Sequence, residues 1–149
     1  MKILILGASY GSLLSTKLLM AGHDVTLICR SKSAALINEE GTEVRIKLRD
    51  EDSHRAFRSH DLAGTLDAVT PADARPEDYD MISLAMQEPQ YSEPQVRDLM
   101  QRIAASRKPC LSIMNMPPLP FLRRIDALAK APLEMCYDDA SVWADFEPG

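Results

Sequence analysis

The chain opens on Lys2-Ile3-Leu4-Ile5-Leu6, a short apolar run that stops at Gly7, the pattern of a parallel strand covered on both faces. Over 11–21 the apolar positions switch to helical spacing, with Leu14, Leu18 and Ala21 in register, Leu13 and Leu19 widening the stripe, and Gly22 as the stop. Val25-Thr26-Leu27-Ile28-Cys29 is a second β-rich run. Strand, glycine turn, helix and strand within about thirty residues make a βαβ unit.

The alternation continues. A helix is predicted over 33–40, closed by Gly41, and over 43–49 Val44, Ile46 and Leu48 alternate with Arg45, Lys47 and Arg49 as in a half-exposed strand. Residues 50–53 are a polar turn, and 55–58 return as the hairpin partner. The third parallel strand is expected over 66–70, followed by a polar connection over 71–78 containing Pro71 and Pro76. Met81-Ile82-Ser83-Leu84-Ala85-Met86 is the fourth buried strand, and Val96, Leu99, Met100 and Ile103 mark one face of a helix over 94–106. Cys110-Leu111-Ser112-Ile113-Met114 is the fifth strand. A helix over 121–129, with Leu122, Ile125 and Ala129 inward, leads to a sixth strand over 133–137. The expected fold is therefore α/β: a Rossmann-like, doubly wound, mostly parallel six-stranded sheet with helices on both faces. A dinucleotide-binding domain spans 1–137. Residues 138–149 carry Trp143 and Phe146 and end on Phe146-Glu147-Pro148-Gly149, which reads as a tail leading toward a second domain not present in this chain.

Composition narrows the classes. With 149 residues, 46% hydrophobic and 26% charged, the chain suits one soluble globular domain. A formal charge of −5 argues against a nucleic-acid partner, which requires a basic surface. Met1-Lys2 and the apolar run imitate a secretory leader, but Gly7, Gly11 and Lys17 interrupt it. No apolar stretch reaches the ~20 residues of a membrane span. Cys29, Cys110 and Cys136 lie far apart without metal spacing, so they are expected to be reduced and buried in a cytoplasmic protein.

Three places carry candidate chemistry. Gly7, Ala8, Ser9, Tyr10, Gly11 and Ser12 lie between the first strand and helix, where main-chain N–H groups attract anions and small residues let a pyrophosphate approach. A plain strand-to-helix turn is the alternative, and the G-x-G-x-x-G fingerprint lacks its second glycine, where Ser9 or a one-residue deletion stands, though the Ser9 hydroxyl can itself donate a hydrogen bond to a phosphate. The tip of the second strand carries Arg30, Ser31 and Lys32 and no acid. An acid there binds the ribose 2′-hydroxyl of NAD, whereas arginine accommodates the 2′-phosphate, so the expected cofactor is NADP. The fourth strand ends on Ala85, Met86 and Gln87, and the fifth on Asn115, whose amide can bond ribose or a substrate carboxylate or can serve a turn before proline. His23, His54 and His60 lack ligand spacing, no nucleophile elbow is present, and the methionines read as packing residues.

The run from Met1 to Ala8, then Gly11-Ser12-Leu13, then Ala21-Gly22-His23-Asp24-Val25-Thr26-Leu27-Ile28-Cys29-Arg30, resembles the start of the ketopantoate reductases. The resemblance covers the chain as an N-terminal domain and is specific through residue 30. It implies reduction of a 2-oxo acid with NADPH on a two-domain fold, cofactor roles for Gly7 to Ser12 and Arg30, and a ribose or substrate contact for Asn115. It also implies a catalytic lysine and glutamate in a second, helical domain with no counterpart in these residues. Three positions depart from the pattern. The turn is one residue short, Gln87 stands where a lysine is expected, and Met116 replaces the glycine after the asparagine.

Other functions fit parts of the pattern. A short-chain-dehydrogenase-like protein would need Tyr-x-x-x-Lys, and Tyr10, Tyr79, Tyr91 and Tyr137 all lack the lysine. An opine-dehydrogenase-like enzyme and a stand-alone NADP-binding or sensing module are the remaining readings. The partner expected is a small 2-oxo acid, not a membrane or nucleic acid, and a homodimer is left open.

Overall fold

In the computed structural model, which describes residues 1–146, the elements follow as β1 (Lys2–Leu6), α1 (Ala8–Met20), β2 (Asp24–Ile28), α2 (Ser31–Glu40), β3 (Glu43–Lys47) and β4 (His54–Arg58). Then come β5 (Leu66–Val69), β6 (Met81–Leu84), α3 (Pro94–Ser106), β7 (Cys110–Ser112) and α4 (Leu119–Arg123). The continuous apolar runs are the middle of one parallel sheet in the order β5-β2-β1-β6-β7. Ile3 through Leu6 have no exposed surface, which is why this strand can be apolar at every position after Lys2. Successive side chains serve opposite layers. Leu4, Leu6, Ile82 and Leu84 meet Leu99, Met100 and Ile103 of α3, while Ile3, Ile5, Val25 and Leu27 meet Leu19 of α1 and Ala34 of α2. Helices thus cover both faces.

The charged stretch after α2 is a separate antiparallel hairpin, with Val44 opposite Phe57 and Ile46 opposite Arg55. At one margin of the sheet, the Asn38 side chain accepts from the Ala68 N–H and donates to the Ala68 carbonyl, both at 2.8 Å, and so closes part of the β5 edge. Across the other layer the Arg102 guanidinium donates to the carbonyls of Ala74 and of Pro71, tying α3 to the connection before β6.

Three expectations are corrected. The main sheet has five strands, not six: 133–137 contains a 3-10 turn, Leu133–Cys136, whose amides are taken locally. Met135 N–H bonds the Pro132 carbonyl and Tyr137 N–H that of Glu134, which leaves them unavailable to a ladder. The helix expected over 121–129 is α4 followed by a separate 3-10 turn, Asp126–Leu128, because Ile125 adopts extended backbone between them. The cysteines are free but not buried: Cys110 and Cys136 are exposed and Cys29 is half-buried.

The segment after α4 is well packed. Tyr137, Val142 and Trp143 are buried in the layer beneath α3, and Trp143 packs in tilted geometry against Tyr91 and Phe146, with ring centroids 5.7 Å away in each case. Arg97 of α3 pairs with Asp139 and holds this segment down. The last residues of the expected tail, 147–149, lie outside the described residues. No described helix is long and apolar enough to cross a membrane.

Candidate functional site

The strand-to-helix turn is made by a single residue. Gly7 has φ +102°, and a Cβ there would lie 2.6 Å from Met86 Cγ and 2.9 Å from the Ala85 carbonyl oxygen, so only glycine fits. The helix therefore starts at Ala8, three residues ahead of the expected 11–21 span, and Gly11 falls in its first turn. A Cβ on Gly11 would come within 2.8 Å of Ile5 Cγ2, so its absence lets α1 lie close against β1. The first helical bond runs from Gly11 N–H to the Gly7 carbonyl at 3.1 Å. That leaves the amides of Ala8, Ser9 and Tyr10 without an intrahelical acceptor, and no acidic side chain occupies the first turn. The result is an uncompensated positive helix head.

This head sits where the topology reverses. The chain leaves β1 for β2 on one side, while β6 flanks β1 on the other. Gly7 N–H bonds the Ile28 carbonyl at 3.1 Å and Ala85 N–H bonds the Leu6 carbonyl at 2.9 Å, which fixes the three strand ends together. Because β1, β2, β6 and β7 run parallel, the segments holding all thirteen sequence-predicted residues emerge at one edge of the sheet.

Around it, Ser9 and Tyr10 are exposed at the helix head, whereas the Ser12 hydroxyl turns back to the Ala8 carbonyl. Arg30 is the N-cap of α2, with Ser31 and Lys32 in a first turn that again contains no acid. The Arg30 side chain is 85% exposed and its guanidinium lies 3.9 Å from the Glu93 carboxylate at the head of α3. On the β6 side Ala85 is buried and Met86 half-buried, with the Met86 N–H donating to the Tyr91 hydroxyl at 3.1 Å. Burial pushes the Tyr91 phenol well above the usual tyrosine range, so it stays protonated. Gln87 is exposed, and its N–H donates to the Gln90 side-chain carbonyl at 3.0 Å. Asn115 is exposed in the bend after β7. Cavities of about 850 and 510 Å³ lie elsewhere, and none of the thirteen residues lines either.

Two residues of this edge escaped the sequence reading. Tyr91 supports Met86, and Glu93 faces Arg30. Pro94 at the first position of α3 marks Glu93 as an N-cap, but its partner lies 63 positions earlier in the chain, and nothing local signals it.

The profile of the family described as Ketopantoate reductase PanE/ApbA matches residues 3–115. The chain belongs to the ketopantoate reductase family. The matched span runs from β1 through Asn115 and so takes in every segment at this edge. Among solved members, a protein of Bacillus subtilis described as a probable 2-dehydropantoate 2-reductase superposes with a TM-score of 0.54 at 25% identity, covering 83% of this chain and 36% of its own. A protein of Ralstonia solanacearum MolK2, described as a candidate ketopantoate reductase, gives a TM-score of 0.54 at 20% identity over 81% of this chain and 34% of its own. This chain thus spans about a third of the length of the solved structures it matches. No curated protein matches the sequence.

Proposed function

We propose that this chain is the NADPH-binding part of an oxidoreductase that delivers hydride to the carbonyl of a small 2-oxo acid. The observation that carries the reading is the bare head of α1, with three amides lacking helical acceptors at the reversal of the sheet and no acid beside them. The residues present suit a dinucleotide. The amides of Ala8, Ser9 and Tyr10 and the Ser9 hydroxyl would hold the pyrophosphate, and Arg30, Ser31 and Lys32 the 2′-phosphate. Gln87 and Asn115 would present amides to ribose or to the substrate carboxylate, with Ala85 and Met86 forming the floor. The bound cofactor supplies hydride; the protein's part is to align it with the carbonyl and exclude water.

The acid that protonates the carbonyl oxygen would come from a further domain, in keeping with the third of the solved reductases that this chain spans. The free thiols suit a reducing compartment, so the cytoplasm is the proposed location.

Fluorescence titration with NADPH and NADH tests the reading. A charge-assisted hydrogen bond is worth about 1.5–3 kcal/mol, so NADPH should bind roughly ten- to a hundredfold tighter, and Arg30→Ala should erase most of that margin. Equal affinities would remove the 2′-phosphate assignment. These 149 residues alone should reduce ketopantoate no faster than buffer, and measurable turnover would show that the catalytic groups lie here after all.

A further inference from the structure

We infer that Glu93 is a specificity-determining residue whose carboxylate competes with the 2′-phosphate of NADPH for Arg30, and so moderates the preference for NADPH over NADH. The inference rests on the dinucleotide site proposed above and concerns how strongly that site discriminates.

Glu93 is the N-cap of α3, yet its side chain makes no capping hydrogen bond. Its carbonyl takes the Arg97 N–H at 2.8 Å, while the carboxylate reaches toward Arg30 at 3.9 Å. The longer glutamate is not a favoured capping side chain, and here its carboxylate faces across the sheet edge rather than onto the first amides of α3. The contact joins two elements that flank the proposed cofactor path: the tip of β2, one residue before α2, and the head of α3 beyond β6.

The consequence is a difference between the two cofactors. Lys32 makes no ion pair among the described residues, so Arg30 is the cation at this tip that is already matched by an anion. A 2′-phosphate carries about −1.5 to −2 charges at neutral pH and must share the guanidinium with the Glu93 carboxylate, whose like charge opposes it. A 2′-hydroxyl makes no such demand. Arg30 and Glu93 are 85% and 55% exposed, so both side chains can reorient without disturbing the fold, and the effect is of the size of a surface ion pair.

The test is a titration of NADPH and NADH against the wild type, Glu93→Gln, Glu93→Lys, Arg30→Ala and the Arg30→Ala/Glu93→Gln double variant, at low ionic strength. Glu93→Gln should tighten NADPH about two- to fivefold and leave NADH unchanged, with Glu93→Lys moving further in the same direction. In the Arg30→Ala background the glutamine should have no effect. Equal tightening of both cofactors, no tightening of NADPH, or an undiminished effect without Arg30 would each overturn the inference while leaving the site intact. A wild type that binds neither dinucleotide would overturn the site itself. Matching thermal unfolding of the variants checks that only the contact has changed.

Discussion

The main-chain N–H of Met86 donates to the phenolic oxygen of Tyr91 at 3.1 Å, so a ring buried beneath α3 holds the segment that lies against Gly7. Removing that oxygen leaves the amide without its partner. Tyr91→Phe should cost about 1–2 kcal/mol of stability, read as a lower urea midpoint at unchanged slope. It should also weaken dinucleotide binding, because Ala85, Met86 and Gln87 lose their anchor. Unchanged binding would detach this segment from the site.

Gly7 and Gly22 separate crowding from backbone strain. Both have positive φ, +102° and +78°, but a Cβ at Gly7 would strike Met86 and Ala85, whereas one at Gly22 meets nothing within 4 Å. Gly22→Ala should cost about 1–2 kcal/mol, the strain alone, and keep dinucleotide affinity. Gly7→Ala should cost more in urea unfolding and lose affinity in the same titration. Equal losses would mean that the turn has room to relax.

Acid should expose the bond between β2 and β5. The Asp24 carboxylate accepts from the Thr65 hydroxyl at 2.7 Å and from the Thr65 amide at 3.2 Å, which holds its pKa below the ordinary 3.8. Above 3.8 it is ionised in both folded and unfolded chains, and the contribution is fully present. Below that value the unfolded chain binds a proton that the fold resists, so the contribution drains as pH falls through the folded pKa. Thr65→Val should therefore be less stable than wild type near neutrality, with the gap narrowing as the pH falls below 3.8. A gap independent of pH would assign the loss to packing.

Trp143 is 3% exposed, and its indole N–H has no acceptor among the described residues. Trp143→Ala should cost about 3–5 kcal/mol. Trp143→Phe loses area but also removes a buried unpaired donor, so it should cost far less. Urea unfolding of the two variants decides, and equal losses would point to a hydrogen bond made by the indole.

The parts legible in the sequence are those whose burial is written locally. β1, β2 and β6 show themselves as apolar runs interrupted by no more than one small hydroxyl residue inside each strand, Thr26 in β2 and Ser83 in β6, and α3 by its single stripe, because each is surrounded by protein in a repeating way. The sequence pattern starts α1 too late because Ser9 and Gly11 look like turn residues. Gly7 makes the whole turn by itself, and the first helical turn tolerates small polar residues. The 133–137 segment has a strand-like pattern because Leu133 and Tyr137 are apolar, but strand formation depends on a distant partner. Here Tyr137 instead turns inward and donates to the Pro117 carbonyl. At the site, the glycine turn ahead of the first helix and the acid-free basic tip of β2 are legible from residue type and order. The Arg30–Glu93 and Met86–Tyr91 contacts are not, the first because it joins distant segments and the second because a buried tyrosine looks like any other core residue.

Trp143 is also the chain's single tryptophan, 5.7 Å from the Tyr91 ring and 5.7 Å from that of Phe146. Nature has thereby fitted the protein with one optical reporter. Excitation absorbed by Tyr91 drains into one indole, and whatever displaces Met86 disturbs that donor through its hydroxyl. Occupation of the sheet edge can then be followed by intrinsic emission, without any label.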